Sequence, residues 1–302
     1  MVMIYMGMNR ILFVMWMAGI LLLSSCSVKE DRSGCPCWMT VDLSKVAESR
    51  WKSPERQSST EYQMVTKSLE SRQHIAESVV LRLRGNSDED EVDYAFKMTE
   101  TVNTEVGALE YEVPRGSVGV SVIGMPDRVG HDGIAGYDGD EIRIPVGEQM
   151  DSLYGFFRMF YTRCESVLCD VELHKEFCTV SFTLGDDGYI SPYDLEVWGN
   201  VAGVSPWDLM PLEGDFRFAP SQEDGVYRVR VPRQVDNSLE LVMLEDSEIV
   251  DRLPLGEYIT RSGYDWTAED LADVSVVLDL EKQQVMITVS GWDGVVVMDI
   301  VI

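Results

Sequence analysis

The 302-residue chain is short of basic residues and of histidine. It has 25 lysines and arginines against 52 aspartates and glutamates, which gives a formal net charge of -27, and it has three histidines. Such an acidic chain repels nucleic acid and anionic lipid head groups. We therefore expect no nucleic-acid partner, and proteins, glycans and cations remain as partner classes. The apolar fraction of 45% is sufficient for real cores, which excludes a mainly disordered chain.

Familiar catalytic motifs are also missing. The chain has no G-x-S-x-G elbow, no glycine loop that cradles phosphate and no H-E-x-x-H pair. His74, His131 and His174 fall in a polar stretch, a loop and a strand, without the spacing of metal ligands. The glycine-rich loop Gly130–Glu141 gathers four acidic side chains, but its spacing is not that of an EF-hand, and calcium binding stays open. We therefore expect that the protein is not an enzyme and binds no cofactor.

No apolar run is long enough to span a bilayer. Arg10 precedes the thirteen-residue run Ile11–Leu23, which is typical of a secretory signal, whereas a spanning helix needs about 20 residues. The run ends in Leu-Ser-Ser-Cys, the pattern of a bacterial lipobox, in which Cys26 is acylated and becomes the new N-terminus. The sequence thus predicts a signal peptide at 1–25 and a lipidated tether at 26–37. The lipid on Cys26 is expected to hold the protein on the outer membrane, at the cell surface.

The remaining cysteines are odd in number. They are Cys35, Cys37, Cys164, Cys169 and Cys178. Disulfides form in an extracytoplasmic compartment, but five cysteines cannot make a closed set, so the pairing is left open. No residues at zinc-ligand spacing accompany Cys35 and Cys37, and no metal site is expected.

Alternation of apolar and polar residues predicts β-strands along most of the mature chain. The first strand is Trp38–Val46, and the polar stretch Glu48–Ser78 follows it. In this strand Met39, Val41 and Leu43 alternate with Thr40 and Asp42, which predicts that one face is buried. Further strands in the first half are predicted at Val79–Gly85, at Val92–Met98, in a hairpin at Tyr111–Gly124 that turns at Pro114 and Gly116, and twice within Asp140–Tyr161.

The strand pattern pauses at Cys164–Cys169, where we place a domain boundary, and then resumes. Strands are predicted at Val171–Leu184, Tyr193–Gly199, Val226–Pro232, Ser238–Asp246, Val274–Leu280, Gln284–Trp292 and Val295–Ile302. Thr267, followed three residues later by Asp270, predicts the start of a short helix. Short strands with few helices predict an all-β fold of two tandem β-sandwiches, an N-terminal one at 38–163 and a C-terminal one at 164–302.

The tail Val295–Ile302 is unusually apolar. In an extended chain Val296, Met298, Ile300 and Ile302 share one face. An exposed strand with so many apolar residues would promote aggregation, and we therefore expect the tail to be buried. Two alternatives stay open: the tail completes its own sandwich, or these four residues form a donor strand that fills the groove of a neighbouring subunit.

Three segments follow one another in an informative order: the lipobox with KEDRSGCPCWMTVDLS, then VELHKEFCTVSFTL, then LPLGEYITRSGYDWTAEDLADVSVVLDLEKQQVMITVSGW. In this order they resemble the anchor lipoproteins of Bacteroidales-type fimbriae, the FimB-like family. The resemblance implies two transthyretin-like sandwiches at the base of a type V pilus. It also implies a protein that joins a fimbrial stalk subunit to the outer membrane and limits the fibre's length.

Two other functions are weighed beside the anchor. In stalk and tip subunits of such pili, an arginine-specific protease removes the lipid and first strand, and Arg50, Arg56 and Arg72 could be cut in that way. A surface glycan-binding lipoprotein is the second alternative. Its candidate contacts are Trp51, Trp198, Trp207 and the loop Gly130–Glu141.

Overall fold

A computed structural model describes residues 37–48, 78–87, 96–125, 140–184, 193–279, 282–290 and 295–299 of the chain. Its strands are β1 (Cys37–Asp42), β2 (Ser78–Ser87), β3 (Phe96–Asn103), β4 (Ala108–Val113), β5 (Gly116–Gly124), β6 (Ile142–Arg143), β7 (Tyr154–Tyr161), β8 (Ser166–Asp170), β9 (His174–Lys175), β10 (Phe177–Leu184), β11 (Asp194–Val204), β12 (Pro211–Phe218), β13 (Gln222–Glu223), β14 (Val226–Pro232), β15 (Glu240–Glu245), β16 (Glu248–Leu253), β17 (Val274–Asp279), β18 (Gln284–Val289) and β19 (Val296–Asp299). The helices are α1 (Ser44–Glu48), α2 (Leu255–Arg261) and a 3-10 turn, Thr104–Val106. The predicted all-β class is confirmed.

The first sandwich packs the sheet β4-β1-β8 against the sheet β3-β2-β5-β7-β9. Its core draws side chains from both sheets, because alternate residues of each strand face inward: Met39 and Val41 of β1 meet Leu81 and Val120 of the opposite sheet. The predicted hairpin at Tyr111–Gly124 is wrong. β4 pairs with β1, whereas β5 pairs with β2 and β7, so the turn between them joins the two sheets.

The second sandwich packs the sheet β13-β14-β10-β17-β18-β19 against β12-β11-β15-β16. Apolar side chains of both sheets form one core, in which the rings of Phe182 and Tyr227 stack with their centroids 5.1 Å apart. α2 closes this core through Leu255, Tyr258 and Ile259, whose spacing places them on one helical face.

The helix predicted to start at Thr267 is wrong, and the helix is instead α2, some ten residues earlier. Residues 264–273 form turns. Arg233 holds this segment in its turns, because its Nη1 donates to the carbonyl oxygens of Trp266 and Ala268 at 2.6 and 2.7 Å. Of these two acceptors, the oxygen of Ala268 would have accepted a backbone hydrogen bond in a helix that starts at Thr267.

Strand pairing interleaves the two sandwiches around residue 163. β8 follows the predicted boundary but pairs in parallel with β1, and β6 precedes it but pairs with β11 of the second sandwich. Residues 36–302 cluster as one compact unit. The domain boundary that the sequence predicts between residues 163 and 164 stays a prediction.

Candidate subunit-contact strands

β1 is the central strand of its sheet and is bonded along both edges. It runs antiparallel to β4 and parallel to β8, with Met39 opposite Tyr111 on one side and Val167 on the other. The inward side chains of Cys37, Met39 and Val41 are fully buried. The alternation seen in the sequence therefore identified the correct buried face.

The first strand contributes a large share of the stability of its sandwich. Met39, Val41 and the following Leu43 have 0% exposure, and full burial contributes roughly 1.5 to 3 kcal/mol for each such side chain, or about 5 to 9 kcal/mol together. That sum is comparable with the whole stability of a domain. Without β1 the sandwich would expose an apolar trough and two unpaired backbone edges, which only another strand could fill.

The tail strand β19 differs from β1 in its burial. It pairs with β18 on one side and is the last strand of its sheet in the described part of the chain. Val296 and Met298 are half-buried, and Val297 is 54% exposed. The predicted facing of Val296 and Met298 is therefore seen, while Ile300 and Ile302 lie outside the described residues. The donor role of these four residues stays a prediction.

Several predicted features fall outside the described residues. They are the signal peptide, Cys26 and most of the tether, Cys35, His74, His131, Trp51 and the three arginines Arg50, Arg56 and Arg72. Across the ranges that the structure describes, no helix is both long and apolar enough to cross a bilayer.

Trp198, a candidate glycan contact, lies beside two guanidinium groups. The Cζ atoms of Arg217 and Arg252 are 4.2 and 4.9 Å from its ring centroid, and its indole N–H donates to Glu196 at 2.5 Å. These cation–π contacts occupy the neighbourhood that a sugar ring would need.

Trp207 is likewise surrounded by cations. Arg82, Arg84 and Lys97 of the first sandwich lie 5.4 to 5.7 Å from its ring centroid. Its indole N–H donates to Asp140 Oδ1 at 3.0 Å. Trp207 belongs to the second sandwich, so these contacts join the two sandwiches.

The acidic loop Gly130–Glu141 is described only at its last two residues. Asp140 accepts the hydrogen bond from Trp207, and Glu141 accepts one from Arg143 at 2.8 Å. Among the described residues, no group of three or more His, Cys, Asp or Glu side chains is placed to hold a metal ion.

The four described cysteines carry free thiols. Cys37, Cys169 and Cys178 are buried, and Cys164 is exposed. Burial raises the pKa of Cys169 and of Cys178 to about 12, so both thiols are protonated at neutral pH and are poor nucleophiles.

A buried charged cluster at the start of the second sandwich was not anticipated from the sequence. Glu176 accepts a hydrogen bond from Arg233 Nε at 3.0 Å, and Lys175 forms an ion pair with Asp273. The sequence held one sign of this cluster, because the charged residues of HKEF lie within an otherwise apolar strand. Charged residues in such a strand need partners when they are buried.

His174, which lacks the spacing of a metal ligand in the sequence, contacts two acids of the turn at 264–273. Its Nδ1 is 3.4 Å from Asp270 Oδ2, and its Nε2 is 3.7 Å from Glu269 Oε1. The hydrogen bond with Asp270 raises the pKa of His174 against the opposing effect of burial. His174 therefore fastens this turn to β9.

The fold defines the chain as an all-β protein of two sandwiches, with a first strand whose inward side chains are buried. No family model and no curated protein matches the chain. Solved structures match it in fold. A candidate polysaccharide-binding protein from Bacteroides thetaiotaomicron is 14% identical, with a TM-score of 0.51, and the match covers 87% of this chain and 98% of that one.

Two further solved structures are more distant. A candidate adhesin from Bacteroides ovatus is 13% identical with a TM-score of 0.47, over 87% of this chain and 95% of that one. The fimbrial anchor protein Mfa2 from Porphyromonas gingivalis is 11% identical with a TM-score of 0.44, over 85% of this chain and 98% of that one. A fimbrial anchor is thus among the solved structures that this chain is similar to. At such identities the likeness shows the fold alone.

Proposed function

We propose that this protein is an outer-membrane lipoprotein that anchors a fimbrium to the cell surface and limits its length. The observation that carries the proposal is β1, a central strand whose inward side chains are fully buried and which begins eleven residues after the lipobox cysteine, Cys26. Because β1 and the lipid belong to one continuous segment, a cut between β1 and the rest of the chain would release both together. A protein that keeps its lipid keeps its first strand.

A subunit that retains its first strand is suited to a position at the end of a fibre. The groove of the first sandwich is already filled by β1, so a neighbour's strand cannot enter it. The protein can still join a stalk subunit by presenting a strand of its own, as in β-augmentation. We assign this role to the tail, with Val296, Met298, Ile300 and Ile302 as the contact residues. The proposed activity is therefore assembly and not catalysis.

Substitution of Cys26 tests the anchor. Cys26→Ser removes the acylation site, and fibres or free subunit should appear in the medium instead of the membrane fraction. Cys164→Ser is the matched control, since this thiol is exposed and distant in sequence from the lipobox. Unchanged membrane fractionation of Cys26→Ser would contradict the lipid anchor. Crosslinking on intact cells followed by capture of the protein should recover fimbrial stalk subunits.

Glycan binding is the second candidate. It is favoured by the fold match to a protein whose name describes polysaccharide binding. The cations beside Trp198 and Trp207 weigh against those two rings as sugar platforms. Polysaccharide arrays distinguish the two functions, because an anchor should bind none of the glycans.

A further inference from the structure

One end of the first sandwich is where the tether enters. β1 begins there at Cys37, which pairs with Val113 at the end of β4. The last residue of β7, Tyr161, is at the same end, because the next residue, Thr162, donates its backbone N–H to Gly116 at 2.9 Å, just beyond the turn that follows β4. We call this end, with Trp38, Arg115, Tyr161, Arg163 and Leu168, the tether end.

The tether end concentrates exposed apolar side chains. Tyr161 is 76% exposed, Leu168 64%, Trp38 50% and Met159 46%. They are four of the five large apolar side chains that are exposed in the described part of the first sandwich, and the fifth, Val106, lies near the opposite end of β1. Clusters of exposed apolar residues mark interaction surfaces, and Trp and Tyr favour the interface between water and lipid.

The exposed apolar residues of the tether end belong to both sheets of the first sandwich. Trp38 of β1 pairs with Ser166 of β8, so Leu168 is its diagonal neighbour on the outer face of that sheet. Tyr161 belongs to the opposite sheet and pairs with Ser117. A flat surface that meets the end of the sandwich can therefore contact side chains of both sheets at once.

The length of the tether brings lipid within reach of this end. Cys26 and Cys37 are eleven residues apart, so their Cα atoms are separated by at most about 40 Å, even in a fully extended chain. An acyl chain on Cys26 would therefore hold the bilayer within about 40 Å of the end where the chain enters the sandwich.

The local charge also permits contact with lipid. The chain has a net charge of -27, but the tether end places Arg115 and Arg163 beside Glu112 and Glu165. The Nη1 of Arg115 donates to the carbonyl oxygen of Arg163 at 3.0 Å, which fixes one guanidinium at this end. These two arginines balance the two glutamates, and guanidinium groups bind lipid phosphates, so the acidity of the whole chain is offset locally at this end.

We propose that the tether end rests on the outer-membrane lipid, with Trp38, Tyr161 and Leu168 in the head-group region. The inference depends on the acylation of Cys26 proposed above. It adds a second, non-covalent contact that orients the first sandwich end-on to the membrane.

Quenching of tryptophan fluorescence by brominated lipid tests the contact. The acylated full chain is reconstituted into vesicles of phosphatidylethanolamine and phosphatidylglycerol, with and without bromine on the acyl chains. We expect lower tryptophan emission in brominated vesicles, and loss of that difference in Trp38→Phe. Trp198→Phe is the matched control, since Trp198 lies in a sheet of the second sandwich, and it should keep the difference.

Flotation of the vesicles separates the two proposals. Protein that does not float with the vesicles lacks the lipid anchor, which overturns the proposed function itself. Protein that floats but shows equal emission in both kinds of vesicle overturns only the contact at the tether end. Shielding of Trp38 by an added stalk subunit, without quenching by brominated lipid, would identify a protein partner in place of lipid. Melting temperatures of both variants confirm that they are folded.

Discussion

Arg233 donates its Nε–H to Oε2 of Glu176 at 3.0 Å, and the two side chains are only 15% and 8% exposed. Burial raises the pKa of Glu176, and the charge and hydrogen bond of Arg233 oppose that rise. The same guanidinium binds backbone carbonyl oxygens of Trp266 and Ala268. One arginine therefore compensates a buried carboxylate and holds the turn at 264–273.

Removal of this arginine should strongly destabilise the fold. Arg233→Met leaves Glu176 buried without its charge partner, and we expect a loss of about 3 to 5 kcal/mol in the free energy of unfolding. Urea denaturation measures the loss. Arg228→Met is the control, because its ion pair with Glu223 is largely exposed and should contribute about 1 kcal/mol or less. The double variant Arg233→Met with Glu176→Gln should regain part of the loss. Equal effects of Arg233→Met and Arg228→Met would contradict this account.

The contact between His174 and Asp270 predicts a pH dependence. The pKa of His174 is raised, so the protonated ring stabilises the fold fully below its unfolded pKa of about 6.5, and this contribution is lost as the pH rises through the higher folded pKa. Burial raises the pKa of Asp270, but hydrogen bonds from His174 and the Lys175 backbone outweigh it, and the net shift is downward. The contribution of Asp270 is therefore lost as the pH falls below about 4.

His174→Gln measures this contribution. The difference in free energy of unfolding between the natural protein and the variant should be largest between about pH 4 and pH 6.5, and it should shrink as the pH rises further. Denaturation with urea over this range gives the profile. A difference that does not change with pH would show that His174 acts by packing alone.

Gly203 tests the pairing of β6 with β11. A Cβ at this position would lie 2.3 Å from the backbone oxygen of Ile142, so Gly203→Ala must push the two strands apart. We expect a loss of about 1 to 3 kcal/mol, which thermal and urea unfolding can measure. Gly119→Ala is the control, because the nearest atom there is the flexible Sδ of Met159 at 3.0 Å, which can move. A neutral Gly203→Ala would mean that the segment before residue 163 is not fixed to the second sandwich.

Deletion of residues 295–302 distinguishes the two roles of the tail. Because Val296 and Met298 are half-buried, while Val295 and Val297 are 56% and 54% exposed, a donor strand should be removable with a small fall in melting temperature. The truncated lipoprotein should stay on the membrane and release the fibre. Substitution of Ile249 and Val250 by serine on β16, another exposed strand, should leave the fibre attached. A collapsed melting temperature after deletion would rule out the donor role.

The N-terminus of the mature protein distinguishes an anchor from a stalk or tip subunit. We expect the cell-associated form to begin at Cys26 with the added mass of its acyl chains, because β1 and the lipid are retained together. Mass spectrometry of the purified protein gives this directly. The opposite result would be an N-terminus just after an arginine of the polar stretch, at Trp51, Gln57 or Gln73.

Local periodicity in the sequence indicated many of the strands and the buried face of β1, but it missed β8, β12 and β16. Met39 and Val41 alternate with polar residues, and a strand places alternate side chains on opposite faces, so the buried face of β1 followed without knowledge of its neighbours. The same reasoning gave the facing of Val296 and Met298. The lipobox pattern that ends at Cys26 is contiguous in the sequence, and the acylation that it predicts stays a prediction.

Strand partners were decided by the tertiary structure. β1 pairs with β8, more than a hundred residues later, and β4 and β5 separate into different sheets although a short turn joins them. Alternation of apolar and polar residues shows which face of a strand is buried, but it does not show which strand lies beside it. The polar cluster has the same origin. Glu176 and Arg233 are far apart in sequence, and Arg233 also donates to carbonyl oxygens of the segment where a helix was expected at Thr267. These outcomes depend on contacts between distant residues, which form only when the sheets pack together.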